Sequence, residues 1–347
     1  QAGLALMSDV VRRPTFLQSE IDRQKQQALS SLKVAADDPE SVAGLVIDRL
    51  IFGFHPYGMP GSGTAESLQA LTRADFVDFH KRYFVPNNAL VAVVGDITAA
   101  DAMAGIEKFF GDWASAELPP FNPIEPPEPT KRVIVVDRPD SVQTEIRVGQ
   151  LGVARKHSDF ETLDQAVKIL GGEGANRLQQ VLRSQRQLTY GASADLDGYK
   201  FAGAIVAETD TQTSNTAEAL RVIADEFSRL QREKVGESEL EAAQDYAVGH
   251  FPLTIETPDQ IATQVLNQLF YELSVEELPK YRDRVMRVAP EDIQRVARFF
   301  IHPDRLAVVL VGNAELFINT LKGVGFGEYE RIPIDKLDIL AADFKKP

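Results

Sequence analysis

The sequence of 347 residues contains no cysteine. This absence excludes disulfide bridges, thiolate nucleophiles and zinc sites built on cysteine ligands, and it leaves the redox compartment open. Long apolar runs are missing too, because no stretch approaches the roughly 20 apolar residues that cross a bilayer. We therefore expect no transmembrane segment in this sequence.

Basic residues are scarce: 37 Lys and Arg stand against 51 Asp and Glu, for a net charge of −14. Nucleic-acid binding depends on clustered basic side chains, so this balance argues against a nucleic-acid partner. The apolar fraction of 44% and the charged fraction of 25% are those of a globular protein with substantial cores. The N-terminal residues carry neither a starting Met nor signal-peptide features, so we expect the chain to begin within a longer sequence.

Proline is concentrated in one place, where it accounts for six of the twelve residues from 119 to 130. Proline fixes φ and removes a backbone donor, so this segment is typical of an extended, semi-rigid linker. It predicts a domain over residues 1–118, a linker over 119–130 and a second domain over 131–347.

The two parts share four similar segments in the same order, at offsets of 216 to 219 residues. The pairs are 3–9 with 219–225, 19–21 with 238–240, 38–43 with 257–262, and 86–96 with 303–313. The period is far too long for a solenoid, so it indicates a duplicated domain. The second copy begins near Lys131, and about 85 residues at its start have no counterpart in the first copy.

Strands and helices alternate in both copies without a glycine fingerprint for dinucleotides, which predicts an α+β fold. Strands are predicted at 132–137, 145–151, 190–194 and 203–208, and helices at 159–170, 176–187 and 214–233. Asp38 and Thr257, each followed by proline, are predicted N-caps of equivalent helices. A buried, valine-rich strand is expected to close each repeat, at 89–95 and at 306–312.

Several motifs resemble peptidase family M16, the group of pitrilysin, insulysin and the mitochondrial processing peptidase. They are Phe16-Leu17-Gln18-Ser19-Glu20-Ile21-Asp22-Arg23, His55-Pro56-Tyr57-Gly58 and Tyr83-Phe84-Val85-Pro86-Asn87-Asn88 in the first part, then Asn176-Arg177-Leu178 and Leu188-Thr189-Tyr190-Gly191 in the second. The resemblance covers essentially the whole chain. It implies two homologous α/β-sandwich domains of the mitochondrial processing peptidase type, the first lacking its N-terminal part in this chain.

The resemblance also implies zinc chemistry for the family, through a His-x-x-Glu-His helix and a glutamate some seventy-odd residues later. None of the five histidines of this chain lies in such a motif, which would fall before residue 1. The position matching the third ligand is Ser31, and residues 23 to 36 contain no Asp or Glu. A serine hydroxyl is a poor substitute for a carboxylate on zinc. We therefore expect no zinc bound to this chain and no catalysis by the chain alone.

In the second domain, the residues matching the family's substrate-binding pair are Arg183 and Tyr190. The resemblance implies that such a pair binds peptide carbonyls and stabilises the oxyanion of the tetrahedral intermediate. From the residues alone, Arg183 is equally typical of a helix C-terminus, where its charge favours the dipole, and Tyr190 of a half-buried strand.

The leading interpretation is a non-catalytic subunit of an M16-type zinc endopeptidase, paired with a second, zinc-carrying M16 subunit or with a copy of itself. The first alternative is a competent zinc metallopeptidase whose His-x-x-Glu-His segment lies outside this sequence. The second alternative is a structural core-type subunit without peptide chemistry. The resemblance suggests the bacterial periplasm or cell envelope, while the substrate and the partner stay open.

Overall fold

The computed structural model describes residues 2–172, 174 and 176–346, and its contacts divide the chain into two compact units. Unit 1 contains the residues up to Lys33, Ser62–Pro123 and His250–Leu278. Unit 2 contains Val34–Gly61, Ile124–Gly249 and the residues from Pro279 onward. Both units therefore draw on segments from each side of the proline-rich stretch.

Twelve α-helices and six strands are present among the described residues. The helices are α1 (Ala2–Arg12), α2 (Gln18–Asp37), α3 (Pro39–Phe52), α4 (Ala65–Ala70), α5 (Arg73–Tyr83), α6 (Ala99–Phe110), α7 (Phe160–Gly171), α8 (Thr216–Arg232), α9 (Glu237–His250), α10 (Pro258–Phe270), α11 (Tyr281–Arg287) and α12 (Pro290–Phe300). The strands are β1 (Arg132–Asp137), β2 (Gln143–Gly152), β3 (Ala192–Gly198), β4 (Gly203–Gln212), β5 (Ala307–Gly312) and β6 (Glu330–Pro333). Within the described ranges, no helix is long and apolar enough to span a bilayer.

All six strands belong to unit 2 and form one mixed sheet in the order β3-β4-β2-β5-β1-β6. Strands β3, β4, β2 and β5 pair antiparallel, whereas β5 with β1 and β1 with β6 pair parallel. The longest pairing joins all ten residues of β2 to all ten of β4. The α+β prediction is confirmed at the level of a mixed α/β structure around one sheet.

The sheet is covered on both faces, which explains why its central strands are almost wholly apolar. On one face, helices α7, α8 and α12 contribute Leu163, Phe227 and Ile293 to a core that includes Ile146 and Val308. On the other face, α3 packs against β2 and β5. On this second face, charged side chains of β2 and β4 line a cavity together with Glu40 of α3.

Most predicted elements are confirmed, and the capping chemistry explains where helices begin. Asp38 accepts a hydrogen bond from the Ser41 backbone N–H at 2.9 Å. Thr257 forms a capping box with Gln260 at the start of α10. These side chains satisfy backbone donors that the first helical turn leaves unpaired.

Two predictions were wrong in detail. Residues 89–95 are not a strand, and Leu90, Val91 and Val93 are exposed. The segment of similar sequence in the second part forms β5, which lies between β1 and β2, whereas the described part of unit 1 contains no strand with which residues 89–95 could pair. The predicted helix at 176–187 is instead a π-helix, Gln179–Gln185, preceded by two α-helical residues, Arg177 and Leu178.

Close packing between α7 and β3 generates a stability prediction. A Cβ on Gly171 would lie 2.3 Å from the Ala194 backbone nitrogen, so Gly171→Ala must displace main chain. We expect a loss of about 1–3 kcal/mol in the free energy of unfolding, measured as a lowered melting temperature. The matched control is Gly249→Ala in α9, where a Cβ meets nothing within 4 Å. That variant should be stabilised by up to about 1 kcal/mol, and equal effects of both substitutions would contradict the packing argument.

Candidate functional site

Arg183 lies on the π-helix Gln179–Gln185, whose turns are wider than those of an α-helix. The Arg186 N–H donates to the Val181 carbonyl, five residues back, at 3.1 Å. Leu182 is fully buried and anchors the segment in the core, while its neighbour Arg183 is exposed. π-Helical turns are rare and occur frequently at functional sites.

Tyr190 follows in the short connection between the π-helix and β3. Gln187 has a φ of 56°, a conformation that non-glycine residues seldom adopt. Leu188 is buried, and its N–H donates to the Leu182 carbonyl at 2.8 Å. The chain thus turns sharply between Arg183 and Tyr190 and brings both side chains to the same side of the sheet edge.

Both residues line one cleft of about 440 Å³. The lining also includes Gln143, Gln187, Leu188, Thr189, Asp210, Thr211, Gln212 and Asn215. Tyr190 is 86% exposed, so it is not the half-buried strand tyrosine that its sequence also allowed. Within the described part of the chain, neither the Arg183 guanidinium nor the Tyr190 hydroxyl has a hydrogen-bond or ion-pair partner. Both are donors that a ligand could engage without displacing a protein group.

A second cavity of about 470 Å³ shares Asp210 with this cleft and is strongly charged. Its charged lining consists of Glu40, Glu145, Arg147, Glu208 and Asp210. The buried Arg147 guanidinium lies 3.3 Å from Glu145, 3.3 Å from Glu208 and 3.9 Å from Glu40. One guanidinium therefore faces four carboxylates, and the cavity carries excess negative charge when they are ionised.

Burial, together with neighbouring carboxylates, raises the pKa of some acidic side chains on this face of the sheet. Burial raises the pKa of Glu145 to about 7, and Asp210 and Glu40 add to this effect against the opposing charge of Arg147. Burial likewise raises the pKa of Asp48 to about 6, with a contribution from Asp197. The pKa of Asp197 is raised by burial and by Glu208. The charge on this face of the sheet thus changes near neutral pH.

Ser31, which the resemblance matches to a third zinc ligand, lies exposed on α2. The helix carries no carboxylate between residues 23 and 36. Across the described ranges there is no cluster of three His, Asp or Glu side chains that could hold a metal ion. Zinc in proteins usually takes three or four such ligands, and the described residues bring no such set together.

Sequence reasoning missed the charged cavity and two buried threonines of β4, Thr209 and Thr211. A signal was available, because charged residues alternate with apolar residues or threonine along β2 and β4, as in Glu145-Ile146-Arg147 and Glu208-Thr209-Asp210. Alternation of this kind places the charges on one face of a sheet. The antiparallel register that sets Arg147 opposite Glu208 could not be read from either strand alone.

These features, a mixed sheet with helices on both faces and a cleft at its edge, have a counterpart among known families. The model of the peptidase M16 inactive domain matches residues 70–246, about half of the chain. The chain belongs to the peptidase M16 family, and the matched part is of the inactive type.

Known proteins similar to this chain agree with that assignment. An uncharacterised zinc protease of Mycobacterium tuberculosis is 26% identical over 314 residues, covering 88% of this chain and 70% of that protein. The crystal structure of a peptidase M16 inactive domain from Pseudomonas fluorescens has a TM-score of 0.84 and 25% identity, over 89% of this chain and 74% of that one. A chain of Complex III2 from Candida albicans has a TM-score of 0.78 and 13% identity, over 92% of this chain and 79% of that one, a likeness of fold alone.

The raised pKa of Glu145 predicts how stability depends on pH. The folded protein holds this proton more tightly than the unfolded chain, whose glutamates titrate near 4.3. The contribution of this proton to the free energy of unfolding is therefore complete below about pH 4.3 and is lost as the pH rises through about 7. Glu145→Gln should leave the melting temperature unchanged near pH 4 and raise it at pH 8. We expect a gain on the order of 1 kcal/mol, reduced by the partial exposure of the side chain.

The matched control is Glu241→Gln, at an exposed position on α9. Its melting temperature should follow the wild-type profile at every pH between 4 and 8. A Glu145→Gln profile parallel to that of the wild type would contradict the assignment of this proton to Glu145.

Proposed function

We propose that this chain is a non-catalytic subunit of an M16-type zinc-dependent endopeptidase, in which Arg183 and Tyr190 bind the backbone of the substrate peptide. The observation that supports this role is the convergence of two uncommitted donors on one cleft. A guanidinium donates to carbonyl oxygens in a fixed fork, and a phenol adds a single O–H donor. Such fixed donors favour a carbonyl on which negative charge develops during hydrolysis.

The adjacent charged cavity favours peptides with basic residues. It contributes four carboxylates against the single guanidinium of Arg147, and it joins the cleft at Asp210. An extended peptide whose carbonyls contact Arg183 and Tyr190 would bring a neighbouring Lys or Arg side chain close to this negative charge. An acidic peptide would be repelled by it.

In this proposal the metal comes from another chain. Residues 23–36, around Ser31, contain no carboxylate of the kind that the family's zinc site needs, and the described residues form no metal cluster. A second M16 subunit therefore supplies the zinc and the general base, or two copies of this chain form a dimer that contains no zinc. The finer architecture belongs to the same proposal: the C-terminal part of a first M16 domain over 1–118 and a homologous second M16 domain over 131–347, joined by the linker 119–130. We also propose an envelope location in bacteria, which cell fractionation tests.

Two alternatives compete with this function. The first alternative is that this chain belongs to a competent zinc peptidase, which is favoured because the similar mycobacterial protein is called a zinc protease. A structural role without peptide chemistry is compatible with the fold shared with a Complex III2 chain. The first alternative predicts peptide cleavage that depends on a bound metal. The second predicts that Arg183 and Tyr190 bind no peptide.

The metal prediction separates the leading proposal from the first alternative. Full-length protein, incubated alone with zinc at neutral pH, should not cleave an unstructured fluorogenic peptide that a known zinc endopeptidase cleaves under the same conditions. Ser31→Glu, which restores a carboxylate at the ligand position, should also remain inactive, as should the control Ser30→Glu one residue away. Cleavage that a chelator abolishes, and that Ser31→Glu increases while Ser30→Glu does not, would establish the competent-peptidase alternative.

The binding prediction tests the pair itself. Full-length protein should bind a fluorescein-labelled, unstructured peptide rich in Lys and Arg, measured by fluorescence anisotropy. Arg183→Ala should weaken binding by about 10- to 100-fold, because it removes charge-assisted hydrogen bonds. Tyr190→Phe should weaken binding by about two- to tenfold, because it removes one neutral hydrogen bond.

The matched control for Arg183 is Arg186→Ala, since Arg186 lies one turn further along and forms an ion pair with Glu218 at 2.8 Å outside the cleft. It should bind the peptide as the wild type does. Unchanged affinity in Arg183→Ala and Tyr190→Phe, with both proteins folded, would reject the peptide-binding role and leave the structural alternative.

A further inference from the structure

Two buried threonines of β4 lie directly beneath the segment that carries Tyr190. Thr211 is 1% exposed and its hydroxyl donates to the Leu188 carbonyl at 2.6 Å. Thr209 is 4% exposed and its hydroxyl donates to the Gly191 carbonyl at 2.7 Å. The two bonds therefore fix the backbone on both sides of Tyr190 to one strand of the sheet.

This attachment matters because the other hydrogen bonds of the segment do not reach the sheet: the Gln187 and Leu188 N–H groups donate to the Arg183 and Leu182 carbonyls of the π-helix. Residues 187–191 belong to neither the π-helix nor β3. Thr189 bonds to Gly191 at 2.8 Å, but this contact is internal to the segment and does not tie it to the sheet. The Tyr190 side chain itself is exposed and makes no hydrogen bond within the described ranges. Its direction is thus set by its backbone, and the threonines hold that backbone.

We propose that Thr209 and Thr211 are positioning residues for peptide binding, whose hydroxyls clamp the Leu188 and Gly191 carbonyls and so hold Tyr190 over the cleft. This inference rests on the proposed peptide-binding role of Arg183 and Tyr190. It assigns a function to the face of β4 opposite Glu208 and Asp210. One strand then supplies charge to the cavity with one face and fixes the binding residue with the other.

The hydroxyl, rather than the packing of the side chain, is the group that the proposal requires. Valine has the shape of threonine but donates no hydrogen bond, so Thr→Val removes the clamp. Thr211→Val takes the hydroxyl from the Leu188 carbonyl, and Thr209→Val leaves the Gly191 carbonyl with the Thr189 hydroxyl, which belongs to the segment itself. Serine keeps the donor and loses only a methyl group. The two replacements at one position therefore separate clamping from filling of the core.

The test uses the full chain and the labelled Lys- and Arg-rich peptide. Thr211→Val and Thr209→Val should each weaken binding by about two- to fivefold, no more than Tyr190→Phe does, because they act through Tyr190. Thr211→Ser should bind as the wild type does. In the double variant Tyr190→Phe with Thr211→Val, the threonine replacement should add no further loss, since residues that act as one unit are not additive. Hydrogen exchange of the amides in 188–192 should become faster in the valine variants.

Thr216→Val is the matched control. Thr216 is fully buried and its hydroxyl donates to the Thr213 carbonyl at 2.8 Å, but it does not contact the segment of Tyr190. This variant should lose thermal stability and keep its affinity for the peptide. If Thr211→Val proves too unstable to fold, Thr209→Val and Thr209→Ser decide the question by the same comparison.

The outcomes separate the two proposals. Wild-type affinity in the valine variants, together with weakened binding in Arg183→Ala, would overturn the clamp and leave the peptide-binding role intact. Equal losses in Thr211→Ser and Thr211→Val would assign the effect to packing and overturn the clamp as well. Wild-type affinity in Arg183→Ala and Tyr190→Phe would overturn the peptide-binding role, and the clamp with it.

Discussion

The antiparallel pairing of β2 with β4 is the constraint on which the candidate site depends. Ten consecutive residue pairs fix the register, and in that register Arg147 lies opposite Glu208, and Glu145 opposite Asp210. A slip of one residue would turn every one of these side chains to the other face of the sheet. The same register places Thr209 and Thr211 on the core side, beneath the segment of Tyr190. A single set of backbone hydrogen bonds thus positions both the charge and the hydroxyls of the site.

Burying charged side chains on the sheet costs desolvation free energy, which the ion pairs of the site offset only in part. The Arg147 guanidinium is almost fully removed from water, and three carboxylates lie within 4 Å of it. Removing a partner from a buried ion pair costs far more than the pair contributes, because it leaves an isolated charge. The surplus carboxylate charge is relieved in another way, since the pKa of Glu145 rises to about 7. Part of the cavity's negative charge is therefore absent at neutral pH.

How much the sequence could predict varied with the range of the interaction. Local signals worked well: Asp38 and Thr257 cap the helices predicted for them, and β1 has the predicted bounds. Long-range pairing was the difficulty, because residues 89–95 have the composition of β5 but no neighbouring strand among the described residues. The pair Arg183 and Tyr190 came from resemblance alone, and neither residue type nor spacing would have selected it. The proposed role of Thr209 and Thr211 could not be predicted from the sequence, because it depends on hydrogen bonds to carbonyls that lie 18 and 23 residues earlier in the chain.

The π-helix that carries Arg183 has a consequence for how the proposed pair Arg183 and Tyr190 should be compared with residues of other proteins. A π-helical turn accommodates one more residue than an α-helical turn over the same path, so it behaves like an insertion absorbed within a helix. Each residue of an α-helix rotates the side-chain direction by about 100°. Two relatives with equal numbers of residues between the arginine and the tyrosine can therefore aim the arginine differently if only one of them has the wide turn. The seven residues from Arg183 to Tyr190 define a separation along the chain. The width of the helical turn determines whether the same separation in another protein gives the two side chains the same directions.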